Sequence, residues 1–112
     1  MPLIVQIHHH CADTPRYFAK VLSDQSALQQ TLAQADDSTL LVEAIFNGQP
    51  VALMLGTKQA EGCLMHAVVV HPATRGRNVG TELLQKGSAL LPRPIAWHDD
   101  LREWASRVVQ GG

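Results

Sequence analysis

The chain has no excess of positive charge. Nine Lys and Arg stand against ten Asp and Glu in 112 residues, giving a formal net charge of −1. Proteins that live on nucleic acid or on anionic membranes normally carry a basic surplus, so neither partner is expected. Cysteine is scarce, and Cys11 and Cys63 are too few for a disulfide scaffold. Aromatic residues are equally sparse, and Tyr17 is the only tyrosine, so any step that needs a phenol has a single candidate. Long apolar runs are missing too. The longest, Cys63–Val70, falls far short of the ~20 residues of a membrane helix. The stretch Leu3–Ile7 is too short for a signal-peptide core and has no basic flank. Together these absences point to a cytoplasmic protein in a reducing compartment. No Cys/His spacing of the zinc type occurs. Within His8-His9-His10, neighbours on an extended segment point to alternate faces, so at most His8 and His10 could share an ion, and no metal is expected.

What is present is ordinary globular material, 46% hydrophobic and 17% charged, which is enough to bury a core. No repeat or linker interrupts it, so residues 1–112 read as one domain. Leu3–His8 is β-branched and reads as a strand. Pro15–Leu22 and Ser26–Ala35 carry apolar residues at helical spacing, with Pro15 in a first turn. The period then changes to that of strands over Thr39–Phe46 and Val51–Thr57, joined by Asn47-Gly48, a pair that tolerates the positive φ of a tight hairpin. Cys63–His71 reads as the most buried strand. A helix with Val79, Leu83, Leu84, Leu90 and Leu91 on one side follows, with Gly87 inside it allowing close packing. Ile95–Trp97 is a short strand, and Asp100 with Glu103 resembles a capping box opening a last helix. The order β-α-α-β-β-β-α-β-α predicts an α/β fold on a mixed sheet.

The stretch most suggestive of chemistry is Val70–Leu84, VHPATRGRNVGTELL. It joins a buried strand to a helix through Gly, Arg and Asn. The first N–H groups of a helix lack intrahelical acceptors and carry the positive end of the helix dipole. Gly76 and Gly80 remove Cβ atoms from a ligand's approach, and Arg75 and Arg77 add charge, which together suit a phosphate or pyrophosphate. Neither a G-x-G-x-x-G nor a G-x-x-x-x-G-K-[ST] pattern is present. A surface turn with two solvated arginines would have the same composition.

These residues resemble the GNAT superfamily of acyl-CoA N-acyltransferases. Val70-His71-Pro72 followed by Arg75-Gly76-Arg77-Asn78-Val79-Gly80 is similar to that family's [QR]-x-x-G-x-[GA] motif, with Arg75 first, Gly80 last and Asn78 in place of the central glycine. Asn is the next most tolerated residue in the left-handed region. The resemblance extends to the order of elements over nearly the whole chain. It implies that backbone amides from Arg75 through Thr81 (Arg75, Gly76, Arg77, Asn78, Val79, Gly80, Thr81) hold the pyrophosphate of acetyl-CoA. It implies that main-chain groups of Val68 and Val70 pair with the pantetheine arm as if it were an added strand. It also implies that the strands Cys63–His71 and Ile95–Trp97 splay apart to admit that arm.

Two departures from the family pattern stand out. Members usually continue past the last helix into further strands, whereas this sequence stops at Gly112, and the open sheet edge near Trp97 and Trp104 suggests a homodimer. Members also commonly use a Tyr on the last helix to protonate the departing thiolate. Here that helix has Trp104 and no Tyr. For a general base the candidates are Glu43, Glu61, His66 and His71. His66 is preferred because it shares strand parity with Val68 and Val70, although a hydrogen-bonded sheet histidine is the plainer reading. Cys63 has no basic neighbour in sequence and reads as an inert thiol. Two functions follow from the resemblance. One is an acetyl-CoA-dependent N-acetyltransferase acting on an unidentified amine or protein acceptor. The other is a non-catalytic acetyl-CoA sensor acting on a protein partner, as in the short maturation factor of aspartate decarboxylase, which Ile45-Phe46-Asn47 loosely resembles.

Overall fold

A computed structural model of the chain describes residues 3–9, 12–74 and 78–111, with side chains up to residue 107. Arg75, Gly76, Arg77, His10 and Cys11 lie outside the described residues. The strands are β1 (Ile4–His8), β2 (Thr39–Phe46), β3 (Gln49–Lys58), β4 (Cys63–Val70) and β5 (Ile95–Trp97), and the helices are α1 (Thr14–Tyr17), α2 (Ser26–Ala33), α3 (Val79–Ser88) and α4 (Asp99–Gly111). The sheet order is β1-β2-β3-β4-β5. The first three pairings are antiparallel and β4–β5 is parallel, so the expected mixed sheet is present.

Strand alternation divides the core into two layers. Val42, Ala44, Met54 and Met65 face Leu83, Leu84 and Ala105 of α3 and α4. Leu41, Leu53, Leu55 and Val69 face Phe18, Val21, Leu22 and Leu32 on the α1–α2 side. Asn47 and Gly48 turn the hairpin at φ 53° and 76°. Gly87 brings α3 down onto the sheet, since a Cβ there would stand 2.8 Å from Met54 Cε and 3.0 Å from Val42 Cγ1.

Four expectations are corrected. The most buried strand is β3, with Val51–Gly56 all buried, whereas β4 exposes His66 and half-buries Leu64, Ala67, Val68 and Val70 because its far edge loses β5 after Met65. The first helix is only four residues long, and beyond Phe18 the chain continues in tight turns, with Ala19 N–H donating to Arg16 O and Ser23 N–H to Lys20 O. Phe18, Val21 and Leu22 are buried nonetheless, so the apolar pattern reported burial rather than helix length. Helix α3 ends at Ser88, which leaves Leu90 46% exposed while Leu91 is buried. Helix α4 begins at Asp99, and His98 Nδ1 accepts the Asp100 N–H at 3.3 Å, a cap made by an imidazole instead of by the Asp100/Glu103 pair.

Candidate functional site

The split in the sheet arises from unequal strand lengths. Register pairs run Cys63↔Ile95, Leu64↔Ala96 and Met65↔Trp97, after which β5 ends and β4 continues to Val70. The last bond across is His98 N–H to Met65 O at 2.9 Å. On its other side β4 stays paired with β3, where His71 N–H donates to Val51 O at 2.8 Å. Main-chain groups alternate along a strand, so those of Val68 and Val70 point away from β3 into the split.

The N-terminus of α3 stands at the same place. Asn78 adopts φ 61°, ψ 18°, the left-handed conformation that asparagine tolerates, and Glu82 N–H returns to its carbonyl at 3.0 Å. The amides of Val79, Gly80 and Thr81 precede that first helical bond and have no intrahelical acceptor. The loop before them is shaped by His71. Its Nδ1 accepts the Ala73 N–H at 3.0 Å, and its carbonyl accepts both the Thr74 N–H at 2.9 Å and the Thr74 hydroxyl at 3.1 Å. His71 is thus engaged in ordering the turn.

A cleft of about 270 Å³ lies between these parts, lined by Val68, Val70, Thr74, Asn78, Val79, Gly80, Thr81 and Trp104. Six of these were nominated from sequence. Thr74 and Trp104 were not. Helical spacing put Trp104 on the inward face of α4, but only the sheet topology brings that face to β4. The room at Gly80 is taken by protein: a Cβ there would meet Val70 Cγ2 at 3.3 Å and Trp104 Cη2 at 3.5 Å. No described residue of the lining titrates near neutrality.

The parity argument for His66 needs correction. The β3–β4 register passes from Leu55↔Ala67 to Gly56↔Met65, so His66 is an extra residue in a bulge. Cys63 and Met65 therefore share a face with Val68 and Val70. The exposed His66 ring meets Thr57 Oγ1 at 2.8 Å, and Thr57 follows Leu55 by two positions on the α1–α2 face. Glu61 is exposed on the β3–β4 turn. Cys63 is buried, which pushes its thiol pKa up, and its Sγ–H donates to Pro92 O at 3.5 Å.

Glu43 and Tyr17 belong to a separate cluster under α1. Glu43 is 2% exposed, and its Oε1 accepts from Gln6 Nε2 at 2.8 Å. Its Oε2 lies 3.3 Å from His8 Nδ1 without forming a well-aligned hydrogen bond. The Tyr17 ring stacks on His8 at 4.9 Å. Burial, then a hydrogen bond to Glu43 and its charge, push the Tyr17 hydroxyl up to about 12, so it keeps its proton through the physiological range. A larger hollow of about 440 Å³, lined in part by His8, His9, Asp36, Asp37 and Lys58, lies at the opposite end of the strands. It touches neither the α3 N-terminus nor the split, and the smaller cleft is the one with unpaired amides for a ligand.

The family model described as the acetyltransferase (GNAT) family matches residues 5–103. No curated protein matches the chain. Among solved structures, the ribosomal-protein-alanine N-acetyltransferase of Brucella melitensis biovar Abortus 2308 is similar at TM-score 0.70 and 13% identity, over 96% of this chain and 90% of that one. A GNAT family acetyltransferase of Staphylococcus aureus is similar at TM-score 0.63 and 19% identity, over 88% and 87%. The putative N-acetyltransferase YhhK of E. coli, solved bound to coenzyme A, is similar at TM-score 0.64 and 21% identity, over 99% and 89%.

Proposed function

The chain belongs to the GNAT family of acetyltransferases, and from that premise we propose that it binds acetyl-CoA in the β4–α3 cleft and transfers the acetyl group to an amine. The observation that carries this reading is the stretch of β4 around Val68 that runs on past the end of β5, beside the α3 amides that have no intrahelical acceptor. A pyrophosphate suits the N–H groups of Val79, Gly80 and Thr81, where the helix dipole adds to them. Arg75 and Arg77 supply charge in the same loop. The amides of a pantetheine arm suit the main chain of Val68 as a partner strand would.

In the reaction, the neutral amine nitrogen attacks the thioester carbonyl directly. A C–N bond forms, the C–S bond breaks, and the sulfur leaves as thiolate. A β4 N–H polarises the carbonyl oxygen. The ammonium proton passes to water. The described cleft offers the thiolate no acid, and Tyr17 stands away from it, stacked on His8 under α1. A thiol with a pKa of about 8.5 is a fair leaving group without one, so losing general-acid help worth about 10²–10⁴-fold makes transfer slow.

That missing acid also favours a second reading, an acetyl-CoA sensor without turnover. Calorimetry and thermal shift against acetyl-CoA and CoA test binding, because a ligand of the native state raises its stability by mass action. Free-thiol release across a panel of amines and peptides tests transfer. Release with any acceptor supports the enzyme, and firm binding with no release supports the sensor. No binding removes both.

A further inference from the structure

Beyond Met65 no described strand pairs with β4 on this side, the chain passes from β5 through His98 into α4, and the side chain α4 turns toward the cleft is Trp104. Its six-membered ring lies against the first turn of α3, with Cη2 and Cζ2 at 3.5 and 3.8 Å from where a Gly80 Cβ would be. A methyl group there would stand in ordinary contact with the ring, and only a side chain that branches beyond Cβ would drive the ring outward. Trp104 packs on the core yet stays half-buried, and the part not covered by protein lines the cleft. At about 270 Å³ the cleft lies just below the ~300–1,000 Å³ of ordinary ligand pockets, room for a slender chain and not for a whole nucleotide.

We propose that Trp104 is the positioning residue that clamps the pantetheine arm against the open edge of β4, with Gly80 as the seat that sets how far its ring reaches. The proposal rests on the acyl-CoA reading above. Pantetheine alternates amides with methylenes and a geminal dimethyl group. The strand edge satisfies the amides, and the indole face supplies the apolar wall that a fifth strand would not. The clamp acts on the arm alone. It is indifferent to the acyl group, which lies toward the bulge, and to the adenosine, which lies beyond the pyrophosphate held on the α3 amides.

Calorimetry with CoA and with 3′-phosphoadenosine 5′-diphosphate, which has the pyrophosphate and no arm, tests this. Trp104→Leu should weaken CoA about tenfold and leave the arm-less nucleotide within about twofold. Gly80→Val, whose methyl groups reach past Cβ into the ring, should weaken CoA as well. Gly80→Val combined with Trp104→Leu should lose less than the sum of the two separate losses, because the overlap with the ring is gone. In Trp97→Phe protein, where Trp104 is the only tryptophan, CoA should shift the emission clearly more than the arm-less nucleotide does. This last measurement decides the matter even if Trp104→Leu fails to fold. Equal weakening of both ligands, full additivity of the two substitutions, or a Trp104 emission shift with CoA no larger than with the arm-less nucleotide overturns the clamp and leaves the acyl-CoA reading standing. Wild-type protein that binds neither ligand overturns both.

Discussion

Replacing Glu43 by Gln should change the titration of a single phenol on the other side of the sheet from the cleft. Tyr17 is the only tyrosine in the chain, so near-ultraviolet tyrosinate absorbance reads one residue. Its hydroxyl is pushed from 10.0 to about 12, first by burial and then by the hydrogen bond and charge of Glu43. The amide of Gln keeps the size and removes the charge. The midpoint should therefore fall toward 10 without reaching it, since burial is unchanged. Because the folded value is raised, the associated stability is fully present below about pH 10 and is lost as pH rises toward 12. At ~1.36 kcal/mol per pH unit the gap amounts to at most ~2.7 kcal/mol. Tyr17 is 36% exposed, so water screens much of this and about 1 kcal/mol survives. Circular dichroism recorded alongside shows whether the fold persists through the titration. A wild-type midpoint at 10 in folded protein, or a Glu43→Gln midpoint equal to wild type, would refute the argument that the buried carboxylate controls Tyr17.

Four further outcomes are expected. Gly87→Val should lower the urea midpoint by the equivalent of about 1–3 kcal/mol, because the new side chain overlaps Met54 and Val42; an unchanged midpoint would contradict the close helix–sheet approach. Asn78→Gly should stabilise the chain by a few tenths to about 1 kcal/mol by relieving the left-handed φ, and Asn78→Ala should do the opposite, both read from the same denaturation curves. Acetyl transfer, assayed as thiol release, should rise with pH as the acceptor amine loses its proton, and His66→Ala should reduce it only modestly; a collapse of activity would make His66 the essential base. Light scattering should report a homodimer paired through the β5 edge, and a monomer at working concentration would remove that expectation.

The strand meander, its Asn47-Gly48 turn and the helix after β4 were legible because each rests on local chemistry: alternation, a positive-φ pair, and a 3.6-residue apolar period. The α3 N-terminus was legible for the same reason, since Asn78 has an intrinsic tolerance for the conformation it adopts. The short α1 was not, because Phe18, Val21 and Leu22 are equally well buried by a series of turns. Trp104 as a wall of the cleft depends on a contact between residues 24 positions apart, Gly80 and Trp104, and no local pattern encodes it. The position of His66 was misjudged because counting residues along a strand assumes uninterrupted alternation, and a bulge adds one residue without any mark in composition.

That added residue has a consequence for the origin of the cleft. Met65 faces α3, Ala67 and Val69 come next on the opposite side, and Val68 and Val70 face α3 again, so a β4 without His66 would still alternate correctly. His66 behaves as an insertion that left every buried side chain on its own face while bending the strand and increasing its twist. Removing it should give a chain that folds, with a straighter β4 lying closer to β5 and the split partly sutured. The one extra residue thus bends β4 just where β5 stops, without repacking either layer of the core.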